Sequence, residues 1–302
     1  MNYFTKAKPY NSLNEYYKQR YGKKVSKIAL NASFTCPNRD GKKGYGGCTF
    51  CSGGSGEYED ISIAKQFNLV KDIIDNKWPD SLYIPYFQAY SNTYKPVNEL
   101  KKIYDAALTH PDIVGISIGT RPDCVDEEKL DLIASYTDKY YTWVEYGLQS
   151  IHNKTLKRIN RGHDYECFLK AYKETKKRGI NVCAHIILGM WETHDEMMET
   201  AKELARLKVD GVKLHLLCAL EGTKFTQMYE NGEIKFMDMD EYVNLVCDFL
   251  EYLPKETTIH RLAGNGYRDA LVAPVWLGAK FDCLNKIDKE FLMRNSYQGI
   301  KV

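Results

Sequence analysis

Asp164-Tyr-Glu-Cys-Phe-Leu-Lys-Ala-Tyr-Lys-Glu-Thr-Lys-Lys-Arg-Gly179, followed at once by Ile180-Asn-Val-Cys-Ala-His-Ile-Ile-Leu188, writes a helix and a strand in one line. Asp164 suits the helix start, because its short side chain can accept from the free amides of the first turn. Gly179 suits the stop, because glycine takes the left-handed backbone that ends many helices. The run after it is short and apolar, as a buried strand is. The same unit recurs in both directions. Further apolar runs lie at 27–33, 82–87, 112–118, 141–147, 211–218 and 257–262, with amphipathic stretches between them. In 98–108, Leu100, Ile103, Tyr104, Ala107 and Leu108 share one helical face, and in 240–253 Tyr242, Leu245, Val246, Phe249, Leu250 and Leu253 do the same. Asp126 is a second expected helix start and Gly211 a second expected stop. Pro85 fits its strand poorly, since it has no amide to give a ladder. Alternating strands and helices mean a parallel sheet with helices outside. The expected fold is α/β: a full or partial (β/α) barrel of parallel strands with outer helices. A doubly wound nucleotide-binding sheet loses ground, because neither G-x-G-x-x-G nor a P-loop sequence occurs. In a barrel, chemistry gathers where the strands end.

The chain has 302 residues, 44% hydrophobic and 27% charged, ordinary for a globular protein. No apolar run approaches the roughly 18 residues of a membrane span, and Met1–Lys6 lacks the apolar core of a signal peptide. Nine cysteines, an odd number, point to a reducing cytoplasm rather than a disulfide framework. Residues 1–50 carry a net charge of +8 and the remainder −6, which hints at an anionic partner or a solvated front end. A single domain is expected over 1–302, with a basic N-terminal extension (1–26), a barrel core (27–262) and a C-terminal extension (263–302).

Just after the first strand run comes Phe34-Thr-Cys-Pro-Asn-Arg-Asp-Gly-Lys-Lys-Gly-Tyr-Gly-Gly-Cys-Thr-Phe-Cys51. Cys36, Cys48 and Cys51 make a C-x11-C-x2-C tripod, and Gly41, Gly44, Gly46 and Gly47 let its loop wrap closely around a bulky object. The other six cysteines are solitary, so a four-cysteine zinc site is poorly served. Three thiolates on a four-iron cluster leave one iron open for a small ligand. An iron–sulfur site, a zinc site and plain packing all stay open on spacing alone.

The triad, with aromatic Phe50 before its last cysteine, resembles the radical S-adenosylmethionine (radical SAM) superfamily. Its wide first spacing is similar to the elongator-catalytic-subunit-like branch. Glu145-Tyr-Gly-Leu-Gln-Ser150 and Leu156-Lys-Arg-Ile-Asn-Arg-Gly-His163 resemble that branch and the oxygen-independent coproporphyrinogen oxidases. Tyr86–Tyr94, Gly119-Thr-Arg-Pro-Asp123, Val246-Cys-Asp-Phe-Leu250 and Ile259-His-Arg-Leu262 resemble the narrower YtqA/YhcC type. The resemblance implies a [4Fe-4S] cluster on the three cysteines and SAM on its open iron. One electron then splits SAM to methionine and a 5′-deoxyadenosyl radical, which takes a hydrogen atom from the substrate. By the same resemblance Glu145 and Gln149 hold the ribose, Arg161 the carboxylate, and Phe50 lies against the adenine. Gln88-Ala-Tyr-Ser91 stands where relatives carry Gly-Gly-Glu for the amino group. The implied substrate is the wobble uridine in a tRNA anticodon loop, converted from the 5-carboxymethylaminomethyl to the 5-aminomethyl form. An electron donor such as flavodoxin or ferredoxin is implied as partner. Thr120, Arg121, His185, His215, His260 and Arg261 are further polar groups expected at strand ends, and Trp191 is a candidate flat wall. A radical SAM enzyme acting on a small molecule or protein, and a non-enzymatic metal-stabilised RNA-binding protein, are the competing readings.

Overall fold

The computed structural model describes residues 4–5, 8–52, 61–264 and 270–302. The remaining stretches fall in the two expected extensions and in the loop after Cys51, and lie outside the described residues. One seven-stranded parallel sheet follows the order of the chain: β1 (Val25–Leu30), β2 (Leu82–Phe87), β3 (Gly115–Thr120), β4 (Tyr141–Gln149), β5 (Asn181–Leu188), β6 (Gly211–Leu216) and β8 (Thr258–Arg261). A two-stranded ribbon of β7 (Ala219–Leu220) and β9 (Leu271–Ala273) stands apart. The helices are α1 (Leu13–Tyr21), α2 (Ile63–Lys77), α3 (Val97–Ala107), α4 (Glu127–Ala134), α5 (Asn153–Arg158), α6 (Tyr165–Lys177), α7 (His194–Leu207), α8 (Lys224–Glu230), α9 (Met239–Glu251) and α10 (Lys280–Met293). The sheet curls into a half-barrel, the partial form of the expected barrel. None of the described helices is long and apolar enough to cross a membrane.

Both faces of the sheet are covered. On β4, Val144, Tyr146 and Leu148 turn toward the helical layer, where the Tyr146 hydroxyl meets Thr175 of α6 at 2.8 Å. Trp143, Glu145 and Gly147, at the alternate positions, turn into the barrel. Asp126 and Asp164 cap α4 and α6 as expected, each accepting from an amide in the first turn. Pro85 is tolerated because it pairs with Ile28 of β1, while β2 meets β3 only at Tyr83 and again from Tyr86.

Gly211 is not a helix stop. It is the first residue of β6, and a Cβ there would stand 2.7 Å from His260 Nε2. Lys208, in the left-handed region at φ 53°, ends α7 instead. β1 starts at Val25, two residues inside the expected extension. The segment ahead of α1 pairs with β8, Ile259 donating to the Asn11 carbonyl at 2.7 Å. α1 then packs Tyr17 against Val25 and Ile84, and Tyr16 on Tyr141 at the start of β4. It therefore covers the strand-start end of the half-barrel and leaves the strand ends open.

Candidate active site

The loop after β1 is stapled at several points. The Cys36 carbonyl accepts from the amides of Arg39 (2.8 Å) and Asp40 (3.1 Å), and the Cys48 carbonyl from the Cys51 amide (3.0 Å). Arg39 donates to the Cys51 carbonyl at 2.7 Å, and Asn38 to the Asn160 carbonyl at 2.6 Å. Gly47 lies at φ 77°, where a Cβ would stand 2.9 Å from Arg39 Nε, so the loop needs glycine there. Cys36, Cys48 and Cys51 are free thiols on the wall of one cavity of about 280 Å³ at the strand ends. Phe50, Gln88, Glu145, Gln149 and Arg161 border the same cavity, so all eight expected site residues are brought together.

The donor set fits a cluster better than a single ion. Sulfurs around one zinc at 2.3 Å lie about 3.8 Å apart. Among the described residues the one set of three ligand-type atoms within 4.8 Å of each other is that of Glu145, Cys183 and His185; the cysteine tripod is wider. The Glu145 set is itself a poor cation site, because two ammonium groups already hold its carboxylate.

Around Gly147 the wall is tight. Arg161 donates to the Gly147 carbonyl and approaches Cys48 Sγ at 3.4 Å. A Cβ on Gly147 would stand 2.6 Å from Arg161 Nη2 and 2.8 Å from Gln149 Nε2. Gln149 itself sits at φ 79°, a strained backbone for a residue with a side chain. Strain of this kind clusters at sites where geometry matters. Arg121 makes two bonds to Asp123, at 2.8 and 2.9 Å, and leaves Nη1 without a partner at the cavity wall. Burial pushes the Asp123 carboxyl up, but Arg121 overrides it and holds it at about 2.

The cavity floor is an ionic cluster that spans the barrel. Glu145 is fully buried. One carboxylate oxygen accepts from Lys27 and from Ser117 (2.6 Å); the other meets His185 Nε2 (2.7 Å) and Lys213 (3.2 Å). Burial alone would raise this carboxyl, yet Lys213 and Lys27 hold it well below the usual range. Burial, then Lys213, lowers His185 to about 4; burial, then Lys27, lowers His260 to about 3. Both rings are therefore neutral near pH 7. Lys27 does not belong with the front-end cations: it points into the barrel because Glu145 is there. Lys213 was missed by sequence reasoning, and its ammonium meets the hydroxyl of Tyr86, one of the tyrosines expected near the barrel mouth, at 2.8 Å. The available signal was parity, since Lys213 and His215 alternate with apolar residues along β6.

A second cavity of about 250 Å³ shares Phe50, Gln149 and His185 with the first and continues to His215, Leu217 and Cys218. Trp191 gives it no flat wall, being packed on Phe225 (5.5 Å) with Arg158 over its ring (3.8 Å). The rest of the front-end charge ahead of β1 lies at the other end of the barrel from the cysteine loop. Lys18, Arg20, Lys23 and Lys24 surround the strand starts. A six-residue strand such as β1 separates them from the cysteine loop by about 20 Å at 3.3 Å per residue. Lys24 is engaged with Asn14 and with the Trp78 ring. Among the other cations, Arg39 borders the cysteine cavity, Lys42 and Lys43 lie in the cysteine loop, and Lys157 and Arg158 end α5, the helix after β4.

A free cysteine tripod at the open end of a parallel half-barrel defines a class, and sequence comparison agrees. The Radical SAM superfamily profile matches residues 33–204, and the Radical SAM C-terminal domain profile matches 209–292. The chain belongs to the radical SAM superfamily, whose members use a [4Fe-4S] cluster and SAM, and it is a radical SAM enzyme. It is 44% identical over 302 residues to YtqA of Bacillus subtilis, covering 98% of this chain and 94% of that one. A tRNA uridine(34) acetyltransferase of Methanocaldococcus infernus is 30% identical over 172 residues, 56% of this chain and 31% of that protein. The Elp3 structure of the same archaeon superposes with a TM-score of 0.66 at 19% identity, covering 91% of this chain and 64% of that one. The chain thus spans less than two-thirds of those two longer proteins.

Proposed function

We propose that this protein modifies the wobble uridine of tRNA, converting a 5-carboxymethylaminomethyl side chain to 5-aminomethyl. The observation that carries this reading is the 30% identity to a tRNA uridine(34) acetyltransferase, a protein whose name specifies that nucleotide. Two features of the site support it. The second cavity opens beside the first, so a base turned out of a single-stranded loop has a place next to SAM. The cations of the cysteine loop and of α5 would meet the phosphates of the anticodon loop.

The bound cofactors would supply a 5′-deoxyadenosyl radical, and a hydrogen on the carbon between the side-chain nitrogen and the carboxylate is the one to remove, because nitrogen stabilises a neighbouring radical. Loss of one further electron, returned to the electron carrier, and a proton leaves an imine, which water hydrolyses to the 5-aminomethyl group and glyoxylate. The chain's part is placement. Cys36, Cys48 and Cys51 hold the cluster. Phe50 would lie along the adenine, Gln149 and Glu145 would border the ribose, Arg161 would hold the carboxylate, and Gln88 would serve the amino group. Glu145 already has four donors on its two oxygens, so one must give way for a ribose contact. The arginine fork suits a carboxylate. The enzyme works in the cytoplasm, where tRNA is and thiols stay reduced, and takes electrons from a flavodoxin or ferredoxin. Mass spectrometry of tRNA nucleosides from a deletion strain tests the reading. Carboxymethylaminomethyl-uridine should accumulate, and an unchanged nucleoside profile would send the search to small-molecule or protein substrates.

A further inference from the structure

The barrel floor holds more positive than negative charge. Lys27 from β1 and Lys213 from β6 both meet Glu145, and Arg261 from β8 adds a third cation, whose charge is felt by Lys213 and by His215. His185, His215 and His260 are held neutral by burial and by these cations, so they add no charge to balance it. Lys27 and Lys213 both bond to Glu145, whereas Arg261 has no hydrogen-bond or ion-pair partner among the described residues.

A fault in the sheet puts Arg261 there. The β6–β8 register steps from Val212↔Ile259 to Lys213↔Arg261, which leaves His260 as an extra residue. Plain alternation would send residues 260 and 261 to opposite faces, and a bulge re-aims one of them. His260 packs edge-on to Trp143 inside the barrel at 4.5 Å. Arg261 lies abreast of inward-pointing Lys213, and its charge is the strongest cationic influence on His215. Arg261 itself lines a further cavity of about 290 Å³ with His260 and Lys280, while His215, on the neighbouring strand, borders the second cavity.

We infer that Arg261, flanked by His215 and Lys213, is a subsite for a substrate carboxylate. The assignment rests on the proposed function, in which the group removed ends in a carboxylate. A guanidinium fork that is unpaired among the described residues, beside further cations, matches that planar anion in two bonds. Backbone phosphates would stay at the mouth, since only the turned-out base and its side chain enter the cavity. Lys213 adds charge, and neutral His215 can donate one further hydrogen bond.

The test compares tRNA bearing the carboxymethylaminomethyl group with tRNA bearing the corresponding carboxamide, on wild type, Arg261→Met and Arg261→Lys. Wild type should favour the carboxylate by about 30-fold or more, the size of a hydrogen bond to a charged group. Arg261→Met should abolish the preference by weakening the carboxylate-bearing tRNA, with affinity for the carboxamide tRNA unchanged, and Arg261→Lys should keep part of it. Conversion by wild type with an equal preference in Arg261→Met would overturn the subsite and leave the tRNA reading standing. Calorimetric titration with N-methylglycine is the second readout, on protein whose melting curve shows it folded. Binding to wild type that disappears in Arg261→Met supports the subsite even if wild type leaves the tRNA unchanged, an outcome that would sink the tRNA reading alone. No binding to wild type, or binding of inorganic phosphate in its place, overturns the carboxylate assignment.

Discussion

Replacing Glu145 by Gln keeps the shape of the side chain and removes its charge. Lys27 and Lys213 would then face each other across the barrel with 20% and 7% of their side chains exposed and no carboxylate between them. Removing one partner of a buried ion pair costs about 3–5 kcal/mol, because the other charge stays desolvated. With an unfolding entropy of about 2.1 cal/mol/K per residue, that is a fall in melting temperature of roughly 5–8 °C for a chain of 302 residues. The double variant Glu145→Gln, Lys213→Met deletes one stranded ammonium and should recover more than half of the loss, so the two changes should be strongly non-additive. Urea unfolding of the cluster-free protein measures this without any contribution from SAM. On the cluster-loaded protein, equilibrium binding reports the ribose contact, expected to weaken by about 1–3 kcal/mol in the single variant. A loss of less than about 1 kcal/mol in the urea experiment, well below the range for a broken buried pair, or simple additivity in the double variant, would refute the charge-hub reasoning. Unchanged SAM affinity would leave Glu145 a purely structural counter-ion.

Cys36→Ala, Cys48→Ala or Cys51→Ala should each abolish iron binding, while Cys247→Ala, buried between α9 and α10, should keep it; anaerobic iron and visible-absorption assays decide. Lys42→Glu with Lys157→Glu should weaken tRNA binding and flatten its log–log salt slope by about 0.7 for each phosphate no longer neutralised. Lys23→Glu, at the closed end of the barrel, should do neither. Acid should destabilise the fold from pH 6.5 downward. The unfolded chain takes up protons at His185 and His260 near 6.5, whereas the folded chain resists until about 4 and 3. Each histidine thus steepens the loss by up to about 1.4 kcal/mol per pH unit over that window. His185→Gln should remove part of the slope in urea titrations at stepped pH.

The strands were legible because each is a short apolar run between helix caps, and Asp126, Asp164 and Gly179 mark those caps on local chemistry alone. The cysteine loop was legible because spacing and glycines are local too. What sequence could not carry was pairing over distance. Lys27 looks like one more front-end cation until Glu145, 118 residues away, is seen to meet it. The inward turn of both His260 and Arg261 needs the slipped register with β6, and nothing in Ile259-His-Arg-Leu262 announces a bulge. Gly211 looked like a helix stop because glycine serves both purposes; only the close approach of His260 tells them apart. The role of the basic front end stayed open in the sequence for a similar reason. Charge counted along the chain does not say which end of the barrel it covers, and α1 carries it to the closed one.

The most direct test of the central claim is one anaerobic incubation of cluster-loaded protein with SAM, a reductant and tRNA carrying carboxymethylaminomethyl-uridine at the wobble position. 5′-Deoxyadenosine and the modified nucleoside are followed together by mass spectrometry. The account predicts that 5-aminomethyluridine appears in step with 5′-deoxyadenosine, and that neither forms with Cys48→Ala. Formation of 5′-deoxyadenosine while the wobble nucleoside stays unchanged would contradict the tRNA assignment, and absence of both from the wild-type reaction would contradict the account as a whole.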